Sequence, residues 1–318
     1  MRGASVRSIV IYFSQTGNTE KIARAIHISL KQGSDHSDLV KIRDSNPRGL
    51  AEYDLIGIGS PVMHFEEPGN VRAFINDMRF VGGKHCFVFS THGTHPEYYF
   101  PSIVPRLKNK GLVIIGMRDW YGNCPFNARP YPTDGHPDEI DLKEAEQFGQ
   151  EMVKHSRRIA AGETGLIPPP PPEPKITQRQ IEEILHPASL GKKEMAYGFK
   201  DRMKFYPEKC TYPQCRLCMD NCPVSGIDLT VSPPVVATPC ISCEFCGKIC
   251  PTGAIADENK PTGLRKSEAF RKFFLEPPGL EEAEAAGRFR RYVPKEKVGT
   301  DPPAPVKHPI FIIGKGLT

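Results

Sequence analysis

The residues best suited to chemistry in this chain are cysteines, and they are concentrated in one stretch. Eight of the ten cysteines in the 318-residue sequence lie between Cys210 and Cys250. They form two blocks: the earlier one has the spacing C-x4-C-x2-C-x3-C-P and ends at Pro223, and the later one has the spacing C-x2-C-x2-C-x3-C-P and ends at Pro251. Thiolates spaced this closely are metal ligands. The stretch is therefore predicted to bind metal.

The spacing favours iron–sulfur clusters over structural zinc. Zinc takes four ligands in one tetrahedron, often from C-x2-C pairs, which gives no reason for a four-cysteine run to occur twice. A cubane needs four thiolates from several directions, and one tight loop can present only three. The run resembles that of bacterial two-cluster ferredoxins, in which the fourth cysteine binds the other cluster. A weak internal repeat supports this resemblance, because Cys222–Asp228 echoes Cys250–Asp257.

The resemblance implies two [4Fe–4S] clusters that the two blocks hold jointly. The first cluster would be bound by Cys210, Cys215, Cys218 and Cys250. The second would be bound by Cys240, Cys243, Cys246 and Cys222. The earlier block has two extra residues after Cys210, which leaves one alternative open. If Cys210 is not a ligand, the first cluster would contain three irons.

Residues 1–160 show a different pattern, in which short apolar runs alternate with amphipathic stretches. This pattern is typical of an α/β fold with a doubly wound parallel sheet. Strands are predicted at about 7–13, 39–43, 54–59, 85–90 and 112–118, and helices at about 18–31, 69–77, 97–109 and 141–159. The last helix is predicted to begin with a capping box at Asp141–Glu144.

A candidate phosphate loop follows the first predicted strand and opens the first helix. It consists of Ser14, Gln15, Thr16, Gly17, Asn18 and Thr19. Hydroxyls and free backbone N–H groups at a helix N-terminus bind phosphate, and a glycine lets the backbone approach closely. The loop resembles that of the flavodoxins. This resemblance implies the strand order 2-1-3-4-5 and an FMN at the switch point between the first and third strands.

Two further loops correspond in position to the flavin loops of that family. The residues assigned to FMN by this resemblance are Ser60, Pro61, Val62, Met63 and His64 after the third strand, Thr91, His92 and Gly93 after the fourth, and Asp119 near the fifth. Candidates for stacking on the ring are Met63, His64 and Phe65, with Tyr98 or Trp120 as outside candidates. His64 and His92 could equally be solvent-facing loop residues.

Several other readings are excluded. Gly57-Ile-Gly59 lacks the third glycine of a dinucleotide fingerprint, and no catalytic residues are assigned. The net charge of +5, with no acidic or basic block, argues against nucleic acid. No apolar run approaches membrane-spanning length, and Ile9–Phe13 is too short for a signal peptide. With cysteines arranged as cluster ligands, the expected location is the cytoplasm.

The sequence predicts four parts. They are a flavodoxin-like FMN domain at 1–161, a proline-rich linker at 162–175, a small α+β two-cluster ferredoxin domain at 176–260, and a helical extension with a docking tail at 261–318. Basic and aromatic residues at 265–292 predict either a helix pair or a docking surface for an acidic partner. The apolar run Pro309–Ile313 is predicted to dock on this chain's own flavodoxin-like domain or on another subunit, of which the second is favoured.

The whole chain is identified as a member of the flavodoxin–ferredoxin fusion proteins. This resemblance implies an electron-transfer protein that relays electrons between FMN and two [4Fe–4S] clusters, with other redox proteins or subunits as partners. Two alternatives stay open. One is a flavin-dependent reductase of a small substrate, and the other is a scaffold subunit whose flavodoxin fold has lost its flavin.

Overall fold

The computed structural model describes residues 5–124, 130–185, 203–231, 235–236, 240–241, 243, 245–257 and 268–300. The chain divides into two units. The first contains Met1–Cys124 and Thr133–Lys175, and the second contains Pro125–Pro132 and Ile176–Thr318. The proline run at 168–172 lies just before the end of the first unit and has no regular secondary structure. The predicted division into four parts stays a prediction.

The first unit is built on one parallel five-stranded sheet with four helices. Its strands are β1 (Arg7–Tyr12), β2 (His36–Lys41), β3 (Leu55–Pro61), β4 (His85–His92) and β5 (Val113–Tyr121). Its helices are α1 (Asn18–Gly33), α2 (Gly69–Asp77), α3 (Tyr99–Lys108) and α4 (Glu139–Ala160). The strand order β2-β1-β3-β4-β5 confirms the predicted order.

The core on one face of the sheet is formed where α1 and α4 pack on the strands. Gly149 permits the close approach of these helices, because a Cβ there would lie 2.7 Å from the carbonyl oxygen of Ile26. Trp120 is buried in this core, with its ring 5.8 Å from the ring of Phe148. Trp120 therefore serves as a core residue, and its proposed role as an outside candidate for flavin stacking is wrong.

Two predicted boundaries differ from the structure for physical reasons. β2 begins three residues earlier than expected. The first half of this edge strand is polar and only partly buried, so it gives no apolar run in the sequence. α4 begins at Glu139, and its capping box is formed by Asp138 and Asp141 rather than by Asp141 and Glu144. An N-cap aspartate satisfies the N–H groups of the first turn as well as serine or threonine does, so the motif starts three residues earlier.

The two glycines of Gly57-Ile-Gly59 have a packing role. A Cβ on Gly57 would lie 2.3 Å from the ring of Phe87, and a Cβ on Gly59 would lie 2.1 Å from the ring of Phe89. Both phenylalanines are fully buried on the neighbouring strand β4. The glycines therefore make room for two aromatic rings, which agrees with the dismissal of a dinucleotide-binding site.

Gly59→Ala is expected to lower the free energy of unfolding by about 1–3 kcal/mol, because it overpacks a core that has no space to give. Gly165→Ala is the matched control, since a Cβ there meets nothing within 4 Å. Denaturant unfolding of the two variants measures the difference. Equal stability of Gly59→Ala and the unsubstituted protein would contradict the packing role.

The second unit contains short elements around the cysteines. Its helices are α5 (Gln178–Leu185), α6 (Leu217–Asp220), α7 (Phe245–Ile249), α8 (Glu268–Phe270, which continues as a π-helix over Arg271–Leu275) and α9 (Pro278–Ala285). Its strands are β6 (Met203–Phe205), β7 (Ile227–Asp228), β8 (Val235–Val236) and β9 (Ile255–Asp257). β6 pairs antiparallel with β9, and β7 pairs antiparallel with β8. The described part of this unit thus combines short helices with antiparallel strand pairs, and the predicted ferredoxin domain at 176–260 stays a prediction.

The C-terminal extension is helical over part of its predicted range. α8 and α9 fall within residues 265–292, and the backbone oxygen of Phe274 accepts a hydrogen bond from the Tyr131 hydroxyl at 3.2 Å. The predicted docking run at 309–313 lies outside the described residues. Among the described helices, none is long and apolar enough to cross a membrane.

Candidate functional site

The candidate phosphate loop and the two candidate flavin loops meet at the carboxyl edge of the sheet. They follow β1, β3 and β4, which are neighbours in the strand order. The hydroxyl oxygens of Thr19 and Thr91 are 2.7 Å apart, and the backbone N–H of Val62 donates to the backbone oxygen of Thr91 at 2.9 Å. Residues predicted from three separate parts of the sequence are thus brought into direct contact.

The phosphate loop has the geometry of an anion-binding helix start. Gly17 is the N-cap of α1 with φ of 94°, and it provides no side-chain cap to the first turn. The backbone N–H of Gly17 donates to the Ser14 hydroxyl at 3.1 Å, and the side-chain amide of Asn18 donates to the backbone oxygen of Asn123 at 2.8 Å. The loop is therefore held in shape while the start of a 16-residue helix has no capping side chain.

The loop after β3 is a tight turn that presents two side chains. The backbone groups of Met63 and Glu66 exchange hydrogen bonds of 2.9 and 3.1 Å. His64 and Phe65, between them, have φ of 51° and 72°, the left-handed region that non-glycine residues rarely adopt. Met63 is buried and His64 is exposed. Of these three stacking candidates, only Met63 is buried by the protein itself.

A buried network of hydrogen bonds and ion pairs stabilises this loop, and it was not predicted from the sequence. The hydroxyl oxygens of Ser60 and Tyr99 are 2.9 Å apart, and the Tyr99 hydroxyl donates to the backbone oxygen of Phe89. Burial raises the pKa of Tyr99. The Glu67 carboxylate is fully buried and lies within 2.9 Å of Arg72 Nε and 3.1 Å of Arg106 Nε. These contacts fix the loop that follows β3.

The loop after β4 places a buried histidine beside the end of β5. The Nε2 atom of His92 lies 2.8 Å from Asp119 Oδ2, and its ring lies 4.8 Å from the Tyr121 ring. The side chain of His92 is only 2 % exposed, whereas that of Asp119 is 42 % exposed. Two of the predicted flavin residues therefore form a hydrogen-bonded pair. Tyr121 was not among the residues assigned to FMN, although it lies two residues after Asp119 and hence on the same face of β5.

A second histidine–carboxylate pair lies further along the same loop. The Nδ1 atom of His95 is 3.1 Å from Glu97 Oε1. Burial of Glu97 acts to raise its pKa, but the hydrogen bond from His95 and the charges of His95 and His92 outweigh it and lower the pKa. Two imidazoles, at the end of β4 and in the loop after it, thus each lie beside a carboxylate. One carboxylate belongs to the same loop and the other to β5.

The eight cysteines of the second unit gather into two groups of four. One cavity is lined by Cys210, Cys215, Cys218 and Cys250. The other is lined by Cys222, Cys240, Cys243 and Cys246. Both groups combine three cysteines of one block with the last cysteine of the other block, and all eight thiols are free of disulfide bonds. This grouping is the one that the resemblance to two-cluster ferredoxins implied.

The walls of the two cavities are mainly apolar. Phe205, Leu229 and Ile255 line the first, and Ile227 and Phe245 line the second. Each apolar space is thus lined by four cysteines, whose soft thiolates are suited to binding metal.

The thiols of the two groups are partly buried, and some of their sulfurs accept backbone hydrogen bonds. Burial raises the pKa of Cys218 to about 11 and that of Cys243 to about 11. The backbone N–H of Gly226 donates to Cys222 Sγ at 3.1 Å, and that of Ala254 donates to Cys250 Sγ at 3.2 Å. Each cavity therefore has at least one sulfur that accepts a backbone hydrogen bond, a contact that tunes the potential of a cluster.

One other group of metal-type ligands has a structural explanation. Ligand atoms of His136, Asp138 and Asp141 all lie within 4.8 Å of one another. Asp138 accepts hydrogen bonds from the first turn of α4, and Asp141 Oδ2 lies 2.5 Å from His136 Nδ1. These hydrogen bonds account for the group as a helix cap.

Comparison with known proteins gives two separate similarities. Residues 9–110 match the family described as Flavodoxin domain. The Megasphaera elsdenii flavodoxin is 29% identical over 110 residues, covering 34% of this chain and 80% of that protein. A solved flavodoxin from the domain Archaea is 18% identical with a TM-score of 0.38, covering 47% of this chain and 98% of that one. An uncharacterized ferredoxin of Methanocaldococcus jannaschii is 37% identical over 51 residues, covering 15% of this chain and 82% of that protein.

Proposed function

The N-terminal half of this chain is a flavodoxin domain, and from this premise we propose that the whole chain relays electrons between one FMN and two [4Fe–4S] clusters. The flavodoxin domain by itself implies electron transfer with FMN. The clusters are the further step, and one observation carries it: the eight cysteines line two cavities as two groups of four. The 51-residue similarity to a ferredoxin supports the same step.

The FMN phosphate is proposed to bind at the start of α1. Gly17 leaves this helix start without a side-chain cap, and the hydroxyls of Ser14, Thr16 and Thr19 stand beside it in the sequence. An anion there would receive the helix N–H groups and the favourable end of the helix dipole. A bound phosphate would therefore accept the hydrogen bonds that no capping side chain accepts at the start of α1.

The flavin ring is proposed to bind between the loops after β3 and β4. Met63, His64 and Phe65 form the turn on one side, and His92 with Asp119 provides polar groups on the other. His92 Nδ1 is buried and has no hydrogen-bond partner among the residues that the structure describes. A buried acceptor in that state costs about 1–3 kcal/mol, which a ligand donor would recover.

The cluster ligands are proposed to be the two groups of four cysteines. The cofactors supply the redox chemistry, since FMN exchanges two electrons in single steps and each cluster exchanges one. The chain holds the thiolates in apolar cavities and donates backbone hydrogen bonds to Cys222 and Cys250. It thereby sets the polarity around each cluster, which is a main determinant of its potential.

The relay is tested by rapid mixing of the anaerobically reconstituted protein with less than one equivalent of a strong one-electron reductant. Cluster absorbance is expected to bleach first and to recover as the flavin is reduced, at a rate that does not depend on protein concentration. The protein reconstituted with clusters but without FMN is the control and should show bleaching without recovery. A recovery rate proportional to protein concentration would contradict a relay within one chain.

The partners are proposed to be other redox proteins or subunits of an electron-transfer complex. A carrier with two kinds of centre needs a donor and an acceptor, and nothing in the charge of the chain directs it to nucleic acid. Purification under anaerobic conditions with bound proteins retained would identify them.

A further inference from the structure

The pair His92–Asp119 has features that electron transfer alone does not require. Its two atoms are 2.8 Å apart, the imidazole is almost completely buried, and the carboxylate is partly exposed to solvent. Because a carboxylate accepts hydrogen bonds, Nε2 of His92 carries the proton and donates it to Asp119. In the neutral ring Nδ1 is then an acceptor, and it is the atom that has no partner among the described residues.

Resting on the proposed binding of FMN at this edge, we propose that His92 takes up a proton at Nδ1 when the flavin is reduced, and that Asp119 is the positioning residue that makes this possible. The reductant gives an electron to the flavin, and solvent gives a proton to His92. The imidazolium then offsets the added negative charge. This function goes beyond electron relay, because it couples the flavin potential to pH.

The charges around His92 favour this uptake. Asp119 and Tyr121 contact it from β5, and Glu97 in the loop after β4 interacts with the charges of both His95 and His92. The lowered pKa of Glu97 keeps this carboxyl anionic near neutral pH. Two carboxylates therefore stand beside two imidazoles, so the surroundings can stabilise a positive charge on each ring.

Histidine NMR of the full chain in the oxidised and fully reduced states measures the proposal directly. The His92 signal, assigned by its loss in His92→Gln, is expected to show a pKa about one unit or more higher after reduction, since a neighbouring negative charge favours the imidazolium by about this much. By linkage, tenfold tighter proton binding corresponds to about 59 mV in a one-electron midpoint potential.

The chain offers a matched control pair in the same domain. The Nε2 atom of His36 is also 2.8 Å from a carboxylate, that of Asp38, but this pair is exposed and lies at the start of β2, away from the loops. The pKa of His36 is expected to be the same in both redox states. Equal shifts at His36 and His92 would assign the effect to a general change in the protein and would overturn the proposal.

Two substitutions complete the test with a second measurement, the flavin midpoint potential against pH. In Asp119→Asn the sloping region should move to lower pH, because the imidazolium loses its partner. His92→Gln should lose the part of the slope that the unsubstituted protein owes to His92. An unchanged profile in both variants, or an unchanged His92 pKa on reduction, overturns the proton uptake while leaving FMN binding intact. A chain that binds no FMN overturns the proposed flavin site as well.

Discussion

When two cysteines are replaced at a time, the iron content is expected to depend on whether both line the same cavity, not on how far apart they lie in the sequence. Cys215→Ala combined with Cys250→Ala should remove one cluster and leave about four irons per chain, because both residues line the same cavity. Cys243→Ala combined with Cys250→Ala should remove both clusters and leave almost none, because these residues line different cavities.

The opposite pattern would contradict the assignment. If each block held its own cluster, the second combination would spare one cluster and the first would destroy both. Cys222→Ala combined with Cys243→Ala repeats the comparison for the other cavity and should leave about four irons. Cys86→Ala is the control, because this cysteine is fully buried in β4 and should leave the iron content unchanged.

Gly17→Leu is expected to weaken FMN binding by about one to two orders of magnitude. The displaced contact to a charged phosphate oxygen is worth about 1.5–3 kcal/mol, whereas the strain of a side chain at φ of 94° lowers the stability of the protein. Each 1.4 kcal/mol is about a tenfold change in affinity. Fluorescence titration of the flavin-free protein with FMN measures the loss.

Gly83→Leu separates backbone strain from loss of the phosphate contact. Gly83 has φ of 78°, a Cβ there meets nothing within 4 Å, and it lies before β4, at the edge of the sheet opposite to the loops. This variant should lose stability and bind FMN normally. Iron content should be unchanged in both variants, because the cysteines belong to the other unit. Normal FMN binding by Gly17→Leu would place the phosphate elsewhere.

The parts of this protein that could be predicted from sequence are those whose signal is local. The buried strands β1, β3 and β4 are short apolar runs, and their order follows from the resemblance that the loop at residues 14–19 carries. The grouping of Cys250 with Cys210 follows from a spacing that leaves a fourth ligand to the other block. In each case neighbouring residues, or a fixed spacing, contain the information.

The parts that could not be predicted depend on contacts between distant residues. Trp120 looked available for a flavin because its burial depends on Phe148, 28 positions away. Tyr99 and Glu67 support the loop after β3 through hydrogen bonds and ion pairs that no sequence pattern announces. The role of Gly59 depends on a ring in the next strand. Such contacts can be identified only when the fold is known.

The central claim is that one chain holds one FMN and two [4Fe–4S] clusters, and its most direct test is a cofactor count. The anaerobically reconstituted full chain is analysed for iron, sulfide, zinc and acid-released flavin against protein concentration. We expect about eight irons, about eight sulfides and about one FMN per chain, because two cubanes use the eight thiolates. Iron near four, zinc near two, or no released FMN would contradict the account.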